Sequence, residues 1–204
     1  MVLHLRRTES EYNRRTHGGS NISKMAKFPW SPFNRSDLDY WLGEDPYFQL
    51  RDWPDTEDEV CSCEDEPPIK LMAALSSNPV HCMNCNLWVE PETLGLSSEV
   101  TQALANWAAI ARAIEYLDLD SQEYEAFAIT EEENIESPLN RRGRDVVTLL
   151  QHTRPCYLWW HPCEETRVNV PNPTCPICDR PMISYTKCFF PVWVCQLDWI
   201  ATTN

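Results

Sequence analysis

Closely spaced cysteines near the C-terminus are the first residues of this sequence that could do chemistry. Cys175 and Cys178 form a Cys-x-x-Cys pair, a tight turn whose two thiolates can bind one metal ion. Sixteen residues separate Cys178 from Cys195, and Asp198 stands where a fourth cysteine would complete a zinc ribbon. Because a carboxylate can bind zinc, the pattern predicts a zinc site of the three cysteines with Asp198 or water as the fourth ligand. The alternative is a hairpin that has lost its metal and is held by hydrophobic residues.

A second group of cysteines lies earlier in the chain. Cys82 and Cys85 form another Cys-x-x-Cys pair, and eighteen residues separate Cys82 from the Cys61-x-Cys63 pair. Four thiolates predict a second zinc site, with His81 as a substitute ligand. The Cys-x-Cys half is the weaker one, because a single intervening residue makes chelation of one ion tighter than usual. The other interpretation is reduced cysteines on a loop and a turn.

The composition is that of a folded protein with reduced cysteines. Hydrophobic residues make up 43% of the 204 residues, and nine of the residues are tryptophan. No run of apolar residues is long enough for a membrane span. The N-terminus lacks the basic-then-apolar pattern of a secretory signal, so we predict a cytoplasmic protein. In that compartment cysteines bind metal or are buried rather than forming disulfides.

The net charge of −14 is unevenly distributed along the chain. Residues 1–27 carry six Lys/Arg against two Glu, a net charge of +4. Residues 28–136 carry four against 24 acidic residues, a net charge of −20, and residues 137–204 carry seven against five, a net charge of +2. An acidic segment repels phosphates and attracts basic proteins. We therefore predict a basic protein partner and neither nucleic-acid nor membrane binding.

The order of these patterns predicts an α+β fold, with a small helical middle region and a C-terminal β-rich, zinc-ribbon-like hairpin module. We divide the chain into three parts. Residues 1–27 are predicted to be a basic, disordered tail. Residues 28–153 form an acidic, aromatic-rich and helical region that contains the Cys82/Cys85 pair, and residues 154–204 form the zinc-ribbon-like module.

Apolar residues at helical spacing predict three helices, over residues 94–118, 121–131 and 137–152. Ser97 or Ser98 is expected to cap the first, and Ser137-Pro138 to begin the third. A shorter helical segment is predicted over residues 68–75. Runs of β-branched and aromatic residues predict a strand over residues 155–161 and a hairpin with strands over residues 181–187 and 189–195.

A family resemblance follows from the order of these motifs over residues 80–200. The early Cys-x-x-Cys pair precedes a helical middle, then Ser-Pro-Leu-Asn-Arg-Arg-Gly at residues 137–143 and an aromatic strand at residues 157–160. A Cys-x-x-Cys pair and a Cys-x-x-x hairpin end the pattern. In this order the chain resembles an uncharacterised prokaryotic family described as zinc-ribbon-containing, for which nucleic-acid binding is suggested.

The resemblance implies a zinc ribbon at Cys175, Cys178 and Cys195 and brings in nucleic-acid binding as an alternative function. Family members have a complete second terminal Cys-x-x-Cys pair, from which Asp198 of this chain departs.

No pattern in the sequence predicts an enzyme. Cys156, His161 and Cys163 are close in sequence, but a Cys/His enzyme also needs an oriented base and an oxyanion site. Phosphate-binding Gly-rich loops are nearly excluded, since the chain has only five glycines. We therefore expect a protein without catalytic residues.

The acidic middle region predicts a non-catalytic protein-binding module, such as an immunity or inhibitor protein that neutralises a basic toxin or nuclease. Acidic residues would speed association, and aromatic residues would anchor the complex. The candidate partner-binding residues are Trp41, Trp53, Asp55, Glu57, Asp58, Glu59, Glu131, Glu132 and Glu133. The alternative is a zinc-ribbon protein that binds nucleic acid.

Overall fold

The computed structural model describes residues 45–50, 59–73, 76–160, 173–188 and 190–203, all within the compact unit Leu42–Asn204. Three α-helices follow one another in the middle of the chain: α1 (Ser98–Asp120), α2 (Glu125–Glu133) and α3 (Pro138–Leu150). Six short strands surround them in sequence: β1 (Ile69–Leu71), β2 (Val80–Cys82), β3 (Cys156–Trp159), β4 (Ile183–Tyr185), β5 (Val192–Cys195) and β6 (Ile200–Thr202). The predicted α+β class is confirmed. Across the described ranges, each helix is too short or too polar to cross a bilayer.

All six strands belong to one mixed sheet in the order β2-β1-β3-β6-β5-β4. The parallel strands β1, β3 and β6 form its centre, and β2 and β5 run antiparallel to them. The helices lie between β1 and β3 in sequence, as a parallel connection requires. The sheet also joins strands from both sides of residue 153, where the sequence predicts a domain boundary.

The two faces of the sheet bury different side chains, because successive residues of a strand point to opposite faces. Ile69, Leu71 and Leu158 belong to the larger hydrophobic core, together with residues of the helices. The intervening residues on the other face form a smaller cluster, which contains Met83, Tyr157, Val192, Val194 and Ala201.

The predicted helices are present, with boundaries that differ by a few residues. The Ser97 hydroxyl caps α1 by accepting a hydrogen bond from the Val100 N–H at 3.4 Å. The Ser137 hydroxyl caps α3 by accepting from the Asn140 N–H at 3.1 Å, and Pro138 occupies the first turn. Both caps are those that the sequence predicts.

The helix predicted over residues 68–75 is wrong, because residues 69–71 form strand β1. β1 pairs with β2 on one side and β3 on the other, and its three residues are fully buried. Pro67 and Pro68 favour an extended chain just before it. A run this short has no helical period to distinguish it, so pairing with two distant strands decides its conformation.

Gly143 lets α3 lie close to the sheet. A Cβ at this position would come within 2.8 Å of Leu158 Cδ1 and 3.1 Å of Trp107 Nε1. The indole N–H of Trp107 in turn donates a hydrogen bond to the Leu139 carbonyl at 3.1 Å. The contact therefore fixes α1, α3 and β3 at one point.

The smaller face of the sheet is strongly curled around its cluster. In a flat six-stranded sheet the edge strands would lie about 24 Å apart, at about 4.8 Å per strand. Here the Tyr185 hydroxyl of β4 donates a hydrogen bond at 2.5 Å to the Asn84 side-chain oxygen, two residues beyond β2. The two edges of the sheet therefore approach each other.

Lys70 lies within this curled face and is 1% exposed. Its Nζ lies 3.6 Å from the centroid of the Trp159 ring and 5.3 Å from that of Phe190. Burial lowers the pKa of Lys70 to about 8, which nearby cysteines oppose. The folded protein therefore disfavours the ammonium form, and the aromatic rings offset only part of that cost.

We expect Lys70→Met to stabilise the protein by about 1–3 kcal/mol at pH 7, since a buried charge gives way to an apolar side chain of similar length. The free energy of unfolding of the wild type should rise toward that of the variant as the pH rises from about 8 toward 10.5. In this range the folded state buries a neutral amine while the unfolded state still binds the proton. Urea unfolding of both proteins at pH 7 and pH 10 measures the difference. An equal difference at the two pH values would contradict the assignment.

Candidate metal centres and an acidic cavity

The four residues predicted to bind metal near the C-terminus converge in the structure. The ligand atoms of Cys175, Cys178, Cys195 and Asp198 all lie within 4.8 Å of one another. The Cys178 and Cys195 Sγ atoms are 3.8 Å apart, and Asp198 Oδ2 lies 3.2 Å from Cys175 Sγ and 3.3 Å from Cys195 Sγ. We call this group the C-terminal centre.

Both Cys-x-x-Cys pairs have the same backbone conformation. In each pair the first Sγ accepts a hydrogen bond from the N–H two residues later, in Asn84 and Ile177. The carbonyl of the same cysteine accepts from the N–H four residues later, in Asn86 and Asp179. That fourth residue has a left-handed backbone, with φ of 64° at Asn86 and 57° at Asp179.

The Cys195-x-x-Asp198 segment resembles these two turns. The Asp198 N–H donates to the Cys195 Sγ at 3.5 Å, and Trp199, four residues after the cysteine, has φ of 55°. A left-handed backbone is unusual for a bulky residue such as tryptophan. Asp198 thus occupies the position of the second cysteine in a turn of the same kind.

The earlier cysteines form a second group, which we call the N-terminal centre. The sulfurs of Cys61, Cys63, Cys82 and Cys85 lie within 4.8 Å of one another, and those of Cys63 and Cys82 are 4.0 Å apart. The substitute ligand His81 is not part of this group, and its Nδ1 lies 3.0 Å from the Asn86 carbonyl oxygen.

The distances in both centres suit a tetrahedral metal ion. Four sulfurs at about 2.3 Å from a zinc ion lie about 3.8 Å from one another, and a sulfur and an oxygen ligand lie about 3.5 Å apart. The observed sulfur separations of 3.8 and 4.0 Å match this arrangement and are nearly twice the length of a disulfide bond. Each centre can therefore hold one metal ion.

In the C-terminal centre, hydrogen bonds between the thiols and the carboxylate shift their pKa values in opposite directions. Hydrogen bonding to the Asp198 carboxylate raises the pKa of Cys178, and the same thiol is the main cause of the lowered pKa of Asp198. Burial raises the pKa of Cys175 to about 12. A metal ion must displace the thiol protons, so metal affinity falls as the pH falls.

Cys156 is a poor candidate for a nucleophile. It is fully buried in β3, and burial raises the pKa of its thiol. An exposed thiolate is what reactive cysteines require. His161 and Cys163, which lie near it in sequence, are outside the described residues.

A cavity of about 370 Å³ lies between the helices and the sheet and is lined by acidic side chains. Glu115 and Asp118 of α1 and Glu132 of α2 face it, with Trp107 and Leu158 among its apolar walls. No lysine or arginine is among the lining residues that the structure describes. Within the same described ranges, Glu132 Oε1 is buried and has no hydrogen-bond partner. We call this space the acidic cavity.

Hydrogen bonds from α3 and β3 fix the end of α2 that carries Glu132. The Asn140 side-chain amide donates to the carbonyls of Glu131 and Glu132 at 3.1 and 2.8 Å. The Ser137 hydroxyl donates to the Glu131 carbonyl, and the indole N–H of Trp160 donates to that of Glu133. These bonds hold the last turn of α2 and so aim Glu132 into the cavity.

The predicted partner-binding residues fall in two places. Trp41, Trp53, Asp55, Glu57 and Asp58, like the predicted tail and the aromatic segment up to residue 44, lie outside the described residues. Glu59 is exposed. Glu131, Glu132 and Glu133 are half-buried at the end of α2.

The sequence did not predict that Glu115, Asp118 and Glu132 come together around a cavity. Glu115 and Asp118 are three residues apart on one helix, a spacing that places them on one face. Nothing local to the sequence indicates that Glu132 of the next helix joins them.

Comparisons with known proteins add no assignment. No protein-family model matches the chain, and neither a curated protein sequence nor a solved structure does. The resemblance to the zinc-ribbon-containing family therefore stays a prediction.

The acidic cavity makes stability depend on pH. Burial, followed by repulsion from Glu115, Asp118 and Glu133, raises the pKa of Glu132 to about 7. The folded state therefore binds a proton that the unfolded state releases between about pH 4.5 and pH 7, and stability falls as the pH rises through that range.

We expect Glu132→Gln to match the wild type at pH 4, where the folded and the unfolded state both hold the proton, and to be more stable at pH 8, because the amide carries no charge to bury. After allowance for solvent screening of a half-buried group, the gain should be about 1–2 kcal/mol. Urea unfolding at both pH values measures it. Glu125→Gln, at an exposed position of the same helix, is the control and should change stability little at either pH. A Glu132→Gln variant that is less stable at pH 8 would contradict the account.

Proposed function

We propose that this chain is a non-catalytic protein-binding module, held together by two structural zinc ions, that recognises a basic protein partner. Immunity and inhibitor proteins that neutralise basic toxins or nucleases work in this way. The observation that carries the proposal is an acidic helical surface. Nine acidic residues and no lysine or arginine lie between Arg112 and Arg141, a segment that includes the end of α1 and all of α2.

The geometry of the two centres supports structural zinc. Each centre offers four protein ligands, the full set for a tetrahedral zinc ion, and this leaves no coordination position for a substrate. Zinc suits thiolates well, and tetrahedral sites rich in sulfur favour it over magnesium or calcium. In this role the ions would fix the turns after β2 and β5, as in a zinc ribbon.

Charge supports a protein partner over nucleic acid. In the described part of residues 154–204, three basic residues stand against two acidic ones, a net charge of +1: Arg154, Arg180 and Lys187 against Asp179 and Asp198. Nucleic-acid binding draws its affinity from clustered basic residues that neutralise phosphates. The family resemblance and the net charge of +2 over residues 137–204 favour the nucleic-acid alternative, but so small a charge is far short of a basic binding surface.

We expect protein purified without a histidine tag to contain two zinc ions per chain, one in each centre. Asp198→Ala should lose one zinc, because three ligands remain in the C-terminal centre, and Cys82→Ser should lose the other. Asp198→Cys should keep both ions and release the C-terminal one more slowly to a chelator, since it restores four thiolates. Elemental analysis measures the content, and a fully folded wild type without metal would contradict the proposal.

Purification of native complexes tests the partner directly. We expect a basic protein to remain bound at low salt and to be released as the salt concentration rises, because screening weakens the attraction between opposite charges. Random-sequence DNA and RNA should show no sub-micromolar binding at physiological salt. A salt-sensitive, sub-micromolar nucleic-acid complex would instead favour the alternative function.

A further inference from the structure

The turn between α1 and α2 carries an unusual group of exposed apolar side chains. Tyr116, Leu119, Tyr124 and Phe127 are each between 52% and 57% exposed. The first two lie near the end of α1, Tyr124 directly precedes α2, and Phe127 lies in its first turn. They are four of the seven large hydrophobic residues that are exposed in the described part of the chain. We call these four residues, together with the acidic residues Asp120, Glu123 and Glu125, the hairpin tip.

Hydrogen bonds hold the hairpin tip in a fixed conformation. The Ser121 hydroxyl donates to the Leu117 carbonyl at the end of α1 and accepts from the Tyr124 N–H at 3.1 Å. The side chain thus links the last turn of α1 to the first of α2. Because the helices are fixed, the apolar residues are presented without a large ordering cost on binding.

Acidic residues surround these apolar side chains. Asp120, Glu123 and Glu125 are exposed in the same turn. On α1, Glu115 lines the acidic cavity, and Leu119 is four residues later, the spacing of neighbouring side chains on a helix. The exposed apolar residues and the cavity therefore meet along one helix.

Among the described residues that line the acidic cavity, none carries a positive charge for its carboxylates to attract. Three carboxylates face it, and Glu132 Oε1 has no hydrogen-bond partner among the described residues. Crowded carboxylates repel one another and lose hydration on burial, a cost that an incoming cation would offset. The cavity volume of about 370 Å³ exceeds that of a single lysine or arginine head group.

We infer that the hairpin tip and the acidic cavity together form the docking surface for a basic amphipathic segment of a partner protein. This inference rests on the proposed function and specifies its surface. Apolar side chains of the segment pack on Tyr116, Leu119, Tyr124 and Phe127, and one lysine or arginine enters the cavity. Large exposed apolar patches within polar surroundings mark such interfaces, and the charge selects a basic partner.

Charge also argues against two other occupants. A two-fold contact between two copies through this surface would place acidic residues against acidic residues, which costs free energy. An anionic membrane surface would be repelled in the same way.

A synthetic peptide of about 18 residues, with leucine at helical spacing and lysine elsewhere, serves as the probe. We expect full-length protein to bind the labelled peptide in fluorescence anisotropy, and to bind it more weakly at 300 mM than at 50 mM salt. A peptide with glutamate in place of lysine should not bind. A peptide of the same composition in scrambled order should bind more weakly, because its apolar residues no longer share one face.

Three variants locate the surface. Neutralising Asp120, Glu123 and Glu125 to their amides should weaken binding about tenfold at low salt and flatten its salt dependence. Leu119→Ser with Phe127→Ser should weaken binding by a similar factor and leave the salt dependence unchanged. The matched control neutralises Glu64, Glu99 and Asp145, which are exposed and lie outside the tip, and should change affinity less than about twofold.

Glu132→Gln gives a result that misfolding cannot mimic. We expect it to weaken peptide binding about fivefold at pH 8 while raising stability, since one carboxylate both attracts the lysine and destabilises the empty cavity. Unchanged affinity in this variant would overturn the role of the cavity.

The remaining outcomes separate the inference from the proposed function. The peptide could instead bind elsewhere, so that the control variant weakens binding and the tip variants do not. That result would overturn the inference and leave the proposed function standing. Absence of binding by the wild type at low salt would overturn the inference, and the proposed function is then decided by the native complexes alone. Self-association that the tip variants abolish, measured by sedimentation, would assign the surface to a second copy of this chain and overturn the inference.

Discussion

Short strands are the constraint on which the rest of this structure depends. Each strand has three or four residues, too few for backbone hydrogen bonds alone to hold a six-stranded sheet. Cys82 and Cys195 end β2 and β5, which run in the same direction, so both metal centres lie at the same end of the sheet. A metal ion bound in each centre would cross-link the ends of β2 and β5 and so compensate for their short length, as metal sites do in small folds with limited cores.

In the helical layer, the short segment that begins α3 makes several of the contacts that hold the helices in place. In the segment that begins α3, Ser137 caps its own helix, Asn140 binds the last carbonyls of α2, and Gly143 admits Trp107 and Leu158. The same contacts that pack the helices on the sheet therefore orient Glu132 toward the acidic cavity. The same residues therefore stabilise the fold and shape the candidate binding surface. Their packing offsets the free-energy cost of the crowded carboxylates.

Short sequence patterns correctly predicted those structural features that depend on interactions between residues close in the chain. Serine caps, a proline in the first helical turn and Cys-x-x-Cys spacing each act within a few residues, and the structure has them where the sequence places them. Strand β1 was mistaken for a helix because its conformation depends on β2 and β3, which are distant in sequence. The acidic cavity depends likewise on the packing of α2 against α1, and no periodicity in the sequence encodes which glutamate of residues 131–133 turns inward.

The hydrogen bond between Tyr185 and Asn84 has a consequence for the two metal centres. Asn84 lies inside the Cys82–Cys85 turn, and Tyr185 belongs to the hairpin whose second strand ends at Cys195. A metal ion that orders one turn therefore also orders a residue that the other turn contacts, which lowers the entropy cost of filling the second centre. Such coupling is reciprocal by thermodynamic necessity. Filling one centre would therefore raise the affinity of the other for metal.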